Sequence, residues 1–181
     1  LCTGKYISLL EGDDYWCHPK KLQLQFNALE TNIHCSVCFT NAYSFWGNSD
    51  NRKLFYKEQK EYPRTIFDLH YYLSNTVSIP NNTKMFRKDS MPKEFPDFFF
   101  KVIQWDWILH LLNGLNGEFI FLEVTTLAYR RHENTIINAK NSEKTFKDGI
   151  YSVLHVNEIL PIEYHKYFTF PRFETNSLAF V

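Results

Sequence analysis

No apolar run in the sequence is long enough to cross a membrane. A spanning helix needs about 20 apolar residues, and the nearest stretch, 98–112, is interrupted by Lys101, Asp106 and His110. A basic segment followed by an apolar one, the mark of a secretion signal, is also missing. We therefore expect a cytoplasmic protein without a membrane-spanning segment, for which peripheral membrane association stays open.

An excess of charge of either sign is missing as well. Twenty basic residues balance twenty acidic ones, so the formal net charge is zero. General nucleic-acid binding requires a basic surface, and we predict no nucleic-acid partner. What the chain does have is 44% hydrophobic residues over 181 positions. That composition is typical of one globular domain with a core of its own.

Cysteine is scarce, with four residues: Cys2, Cys17, Cys35 and Cys38. The spacing of Cys35 and Cys38 fits a zinc or redox motif, but no second pair completes a zinc site. The segment 35–43 has the composition of a strand, in which residues three apart point to opposite faces. We interpret the cysteines as buried thiols in a reducing cytoplasm.

Internal repeats are absent, and predicted strands alternate with predicted helices. A helix from Thr65 is expected to carry Asp68 at the capping-box position, and 46–64 is expected to be a surface loop. The order predicts an α/β domain, in which ligands gather at the carboxyl ends of strands. Strands are predicted at 5–10, 35–41, 83–87 and 119–129, and helices at 19–31, 65–73, 105–115 and around 146–154.

Three carboxylates crowd together directly after the first predicted strand: Glu11, Asp13 and Asp14. With neither Cys nor His beside them, such carboxylates favour a hard cation, Mg²⁺ or Mn²⁺. Mg²⁺ often completes its shell from substrate phosphates, which predicts a metal–diphosphate site. The alternative is an acidic turn that stabilises the start of the helix at Pro19. Residue spacing leaves both interpretations open.

The carboxylates belong to a longer stretch, residues 5–25, which reads KYISLLEGDDYWCHPKKLQLQ. This stretch resembles the family 2 glycosyltransferases, in particular the pattern K-Y-I-A-x-L-E-G-D-D-Y-W-T-D-P-x-K-L-Q-x-Q of a bacterial branch. Weaker similarity follows in 79–88 and 105–132. The resemblance implies a GT-A-like fold, a mixed sheet flanked by helices, over residues 1–135. Residues 136–181 are then a helical extension that packs on the same domain.

The resemblance also implies a donor site. The family's D-x-D motif maps onto 11–13, with Asp13 as a ligand of Mg²⁺ or Mn²⁺ and His132 as a second ligand. Glu11, Asp14 and Arg130 are expected to face the nucleotide and diphosphate of the donor. Without the resemblance, the Arg-Arg-His run at 130–132 is typical of a solvated strand end.

An acceptor site is implied near the start of a later helix. Asp106 matches the position of the family's catalytic base, a carboxylate that takes the proton of the acceptor hydroxyl. The alternative is a helix N-terminal carboxylate with an electrostatic role, hydrogen-bonded to His110. Trp16, Trp105 and Trp107 are candidates for sugar stacking, with core packing as the alternative.

The activity implied is sugar transfer by metal-assisted, inverting displacement, from a nucleotide-sugar donor to a saccharide or other hydroxyl acceptor. Such enzymes often serve polysaccharide biosynthesis. The sequence departs from the pattern at Cys17, His18 and Trp105, and it lacks the first strands of a GT-A fold, which bind the nucleotide. We expect an N-terminal portion to be missing. The alternative function is a non-catalytic remnant or a carbohydrate-binding fragment.

Overall fold

The computed structural model describes residues 2–57, 59–132 and 142–168. They form a mixed α/β structure, so the predicted class is confirmed. Its elements are β1 (Tyr6–Ser8), β2 (Tyr15–Trp16), α1 (Lys21–Thr31), β3 (Cys35–Trp46), β4 (Lys53–Leu54), β5 (Ile66–Phe67), α2 (Leu69–Ser74), β6 (Met85–Arg87), α3 (Trp105–Gly114), β7 (Glu118–Arg131) and α4 (Ser142–Ile159).

Two long strands form the centre of the sheet. β3 and β7 run parallel, with Cys35 opposite Glu118 at one end and Trp46 opposite Arg131 at the other. The described strands are ordered β1-β6-β3-β7-β2, with β4 beside β3 and β5 beside β7, and these outer pairings are antiparallel. The carboxyl ends of β3 and β7 therefore meet at one edge, where a ligand site is expected.

Strand β3 begins at Cys35 as predicted but differs from the prediction in its length and its register. It continues past residue 41 to Trp46, and the pairing register shifts between Cys35 and Val37. A bulge of this kind changes which residues share a face. Cys35 and Cys38 consequently pack in one cluster with Leu29 of α1, and the prediction that they point to opposite faces is wrong. Both thiols are free, and both are buried as predicted.

Helix α2 begins later than predicted. Ile66 and Phe67 form β5 against β7 before the helix starts. Asp68 is itself the N-cap, and its carboxylate accepts a hydrogen bond from the Tyr71 backbone N–H at 2.8 Å. The expected cap at Thr65 is thus wrong, because strand pairing takes the residues that would have formed the first turn.

The larger core lies on the face of the sheet that packs α2, α3 and α4. Aromatic rings fill its centre, where Phe119 stacks with Phe67 at 5.3 Å and with Tyr72 at 5.1 Å between centroids. Helix α4 contributes Val153 and Val156 to the same core. The boundary predicted near residue 135 lies outside the described residues. Of the helices described, none has both the length and the apolar character that a membrane span requires.

Strand β1 forms an edge of the sheet in the described part of the chain. It pairs with β6 on one side, and Leu22 and Phe26 of the nearby helix α1 are more than 40% exposed. Unpaired strand edges are templates for association. We predict that residues 1–181 expressed alone associate as concentration rises, measured by size-exclusion chromatography with light scattering. A monomer at all concentrations would contradict this.

Candidate metal and donor site

The three acidic residues of the 11–14 segment lie beside the carboxyl end of β7. The side-chain oxygens of Glu11, Asp13 and Asp14 are all within 4.8 Å of one another. The segment is held there by Arg130, whose Nε donates to the Asp13 carbonyl at 3.2 Å. His132 follows at the end of the strand. The structure thus brings together all five residues predicted for metal and donor binding.

Asp14 is the anchor of this segment. Its side chain is buried, and Oδ1 accepts from the Arg130 backbone N–H at 2.9 Å while Oδ2 accepts from Asn82 Nδ2 at 2.6 Å. Burial raises the pKa of Asp14, and the two hydrogen bonds work in the opposite direction. Both oxygens therefore have protein partners, and the carboxylate ties the 11–14 segment to β7.

Glu11 is oriented by two asparagines that sequence reasoning missed. Its Oε1 accepts from Asn81 Nδ2 and its Oε2 from Asn82 Nδ2, each at 3.1 Å, and its own N–H donates to Asn82 Oδ1 at 3.2 Å. Burial, followed by the charges of Asp14 and Asp106, raises the pKa of Glu11. The available signal in the sequence was the pair of adjacent asparagines at 81–82, in the segment 79–88 already noted for its resemblance.

Asp13 is exposed to solvent, in contrast to the buried Asp14. Its side chain is 46% exposed, and its Oδ2 lies 3.1 Å from Nε2 of His132, which is 37% exposed. Because these two groups touch and both reach solvent, one ion can contact both. The arrangement fits the predicted pair of metal ligands.

The guanidinium of Arg130 is fixed beside the acids. Nη1 donates to the Gly47 carbonyl at 3.1 Å and to Asn48 Oδ1 at 2.9 Å, and the group lies 5.2 Å from the centre of the Phe45 ring. A guanidinium held in this way is preorganised for a phosphate. Its position is consistent with the predicted contact to the donor diphosphate.

The donor set fits a hard divalent cation. Asp13 offers an oxygen ligand and His132 a nitrogen ligand. Glu11 and Asp14 add negative charge beside them, and this setting suits Mg²⁺ or Mn²⁺. The alternative of a helix-capping turn is wrong, since α1 has no side-chain N-cap and no acidic residue in its first turn. The acids bond instead to β7 and to the asparagines at 81–82.

Asp106 lies in the first turn of α3 and is half-buried. It is close enough to Glu11 and Lys84 for its charge to raise the pKa of both side chains. The expected hydrogen bond from Asp106 to His110 is wrong. His110 contacts Tyr72 OH at 3.1 Å and Lys84 Nζ at 2.8 Å instead.

The three candidate tryptophans lie in different environments. Trp16 donates from Nε1 to the Asn82 carbonyl at 3.1 Å, so it is connected to the acidic cluster. Trp105 and Trp107 are half-buried and pack against the main core, with Trp107 5.6 Å from the Phe168 ring. Core packing accounts for much of the surface of these two, and sugar stacking stays a prediction for all three.

Two lysines are buried close to the candidate site. Lys21 and Lys84 are at most 1% exposed. Burial lowers the pKa of each to about 8, against 10.5 for an exposed lysine. Burial also raises the pKa of Cys35 to about 11 and that of Cys38 to about 12. These four groups make stability depend on pH in the alkaline range.

We predict that the free energy of unfolding rises by about 1 kcal/mol between pH 8 and 9. Between pH 8 and 9 both lysines stay protonated in the unfolded chain but lose their protons in the folded chain. Because the unfolded state then binds more protons, raising the pH favours the folded state. Above pH 9 the unfolded cysteines lose protons first, and the rise ends. Urea denaturation at both pH values measures the change. The double variant Lys21→Met/Lys84→Met should lose this rise and show a small fall instead, because only the cysteine thiols then titrate differently in the two states. Equal stability of the unaltered protein at both pH values would contradict the prediction.

The chain is similar to curated proteins of mycobacteria. Over 145 residues it is 28% identical to an uncharacterized protein of Mycobacterium tuberculosis and to one of Mycobacterium bovis. The match covers 78% of this chain and 39% of each relative. The chain therefore spans about two fifths of the length of these curated relatives. No protein-family model matches it.

Proposed function

We propose that the protein is a glycosyltransferase that moves a sugar from a nucleotide diphosphate donor to an acceptor hydroxyl. One observation carries the proposal: an accessible acidic cluster lies at the carboxyl end of the parallel pair β3 and β7, within electrostatic reach of the carboxylate of Asp106. The stretch 5–25, which resembles the family 2 enzymes, contributes that cluster. Strand ends of parallel sheets are where α/β proteins bind such ligands.

On the donor side, Asp13 and His132 would hold Mg²⁺ or Mn²⁺. When bound, the ion neutralises charge on the leaving diphosphate. Arg130 contacts the same diphosphate through its fixed guanidinium. Glu11 faces the nucleotide. Asp14 keeps the 11–14 segment in place and is itself one of the residues on the donor side of the site.

On the acceptor side, Asp106 accepts the proton of the acceptor hydroxyl as its oxygen attacks the anomeric carbon. The new bond forms as the bond between that carbon and the diphosphate oxygen breaks, and the anomeric configuration inverts. Trp16, Trp105 and Trp107 supply aromatic faces against which a sugar ring can stack.

We further propose that the sheet is part of a GT-A-like fold. A central parallel pair, antiparallel strands at the edges, α1 on one face and α2, α3 and α4 on the other support this assignment. Polysaccharide biosynthesis in the cytoplasm, with peripheral membrane association, is proposed from the resemblance alone.

A panel of nucleotide-sugars tests the proposal. Protein expressed from its complete open reading frame is incubated with each donor, with Mn²⁺ and with EDTA, and release of the nucleoside diphosphate is measured. We expect metal-dependent release from at least one donor. Binding of sugars with no release from any donor would favour the carbohydrate-binding alternative, and neither activity would overturn the proposal.

A further inference from the structure

Lys84 places a charged side chain at a position where burial is energetically unfavourable. Its side chain is fully buried, and its Nζ donates to Asn81 Oδ1 at 2.6 Å and to His110 Nε2 at 2.8 Å. Among the described residues, no carboxylate hydrogen-bonds to it. Removing an ammonium group from water is strongly unfavourable. A protein with an apolar side chain of similar size at such a position is often more stable than one with the buried charge. Packing alone therefore does not account for a lysine here.

The lysine fixes the state of His110. An ammonium offers only donors, so Nε2 of His110 must accept from it. Nδ1 then carries the hydrogen and donates to Tyr72 OH at 3.1 Å. Burial and the Lys84 charge hold the pKa of His110 well below its usual range, so the ring stays neutral. His110 is thereby held as one tautomer with both nitrogens bonded.

Lys84 also connects the two halves of the candidate site. Asn81, which accepts from Lys84, donates to Oε1 of Glu11. His110, the other partner, lies one turn after Asp106 on α3, and residues four apart share a helix face. The charges of Asp106 and Glu11 both act on the lysine. The ammonium thus stands between the segment that orients Glu11 and the helix that carries Asp106.

We propose that Lys84 is a positioning residue: through Asn81 it orients Glu11, and through His110 it fixes α3 so that Asp106 stays within reach of the acidic cluster. The part that concerns Asp106 as a base rests on the proposed function. The part that concerns His110 and Glu11 does not.

The first test is independent of any activity. Nitrogen-15 NMR of the imidazole rings, assigned with His110→Gln, reports which nitrogen of His110 carries the hydrogen. We expect a protonated Nδ1 and a bare Nε2 from pH 6 to pH 7, where Lys84 is charged, and a mixture of tautomers or a titrating ring in Lys84→Met. A protonated Nε2 in the unaltered protein would overturn the proposal even if the variant failed to fold. An unchanged His110 spectrum in a folded Lys84→Met would do the same.

The second test is the pH profile of transfer. Among the described residues, Glu11, Lys84 and Tyr72 interact electrostatically with Asp106, and His110 lies one turn later on the same helix. Losing the nearby positive charge raises the pKa of a carboxylate, so the acidic limb of kcat/KM should move upward in Lys84→Met, on the order of one pH unit. Lys84→Arg keeps the charge and should return the limb towards its original position.

Lys21→Met is the matched control, since it removes an equally buried lysine from the other side of the sheet, beside Trp16. It should leave both the limb and the His110 spectrum in place. An acidic limb that stays in place in Lys84→Met would overturn the positioning of Asp106. If the unaltered protein transfers no sugar, the proposed function fails, and the NMR measurement still decides whether Lys84 fixes His110.

Discussion

Asp106→Asn is expected to lower sugar transfer by a factor on the order of 10² to 10⁴, the usual range for losing a general base. The substitution keeps the shape of the side chain and removes the proton acceptor. Mn²⁺ and donor binding should survive, because the carboxylate lies on α3 and not in the 11–14 segment. Single-turnover transfer and thermal melting on the same preparation separate a lost base from a lost fold.

Asp97→Asn is the matched control for this experiment. Asp97 is an exposed carboxylate in the first turn of the short 3-10 helix 97–101, just before α3 in the chain. Its substitution should change neither transfer nor melting. Near-normal transfer in Asp106→Asn together with a large loss in Asp97→Asn would move the base to Asp97. Small effects in both would exclude a base on either residue.

Asp13→Asn should weaken Mn²⁺ binding by a factor on the order of 10² or more. Losing a residue that only hydrogen-bonds to a metal ligand typically costs about 10- to 100-fold in affinity, and Asp13 is proposed as a direct ligand. Binding of a nucleoside diphosphate in the presence of Mn²⁺ should fall with it. The fold should persist, since the side chain is 46% exposed and the Asp13 carbonyl that accepts from Arg130 is retained. Calorimetry with Mn²⁺, with and without the nucleotide, measures the effect.

Asp14→Asn provides the contrast, because it neutralises the adjacent carboxylate in a different environment. Its two oxygens accept from the Arg130 N–H and the Asn82 amide. An asparagine at position 14 has only one side-chain oxygen, so its NH₂ group would face one of these two N–H donors and leave it without an acceptor. We expect a loss of about 1 to 3 kcal/mol in stability, the cost of an unsatisfied buried group. Unchanged Mn²⁺ binding in Asp13→Asn would overturn the metal assignment.

Sequence reasoning succeeded where local pattern decides the structure. Helix α3 was predicted from its apolar spacing and ends at Gly114, close to the predicted end. Residues 119–129 were predicted as one long strand or two short ones, and the structure has one strand, Glu118–Arg131. The grouping of Glu11, Asp13 and Asp14 was visible because the three residues lie within four positions. Such features need no knowledge of distant contacts.

Long-range pairing explains what sequence reasoning missed. The register shift between Cys35 and Val37 arises from the pairing of β3 with β7, and the residues around it in the sequence do not predict it. Asn82 meets Asp14 across 68 positions, and Lys84 meets His110 across 26. The predicted contact between Asp106 and His110 had suitable helical spacing, but the imidazole found partners on other elements. The periodicity of a sequence predicts on which side of a helix or strand a residue lies, but it does not predict which distant residue packs against that side.

The hydrogen bond from the Arg130 N–H to Asp14 joins positions 116 residues apart, and this has a kinetic consequence. Contacts so distant in sequence form only after the intervening chain has collapsed, and they make folding slow. The acidic cluster therefore acquires its geometry late, when β7 docks beside the 11–14 segment. A cation that recognises this geometry stabilises the native state and not the transition state that precedes it. It would prolong the lifetime of the folded protein and leave the folding rate almost unchanged.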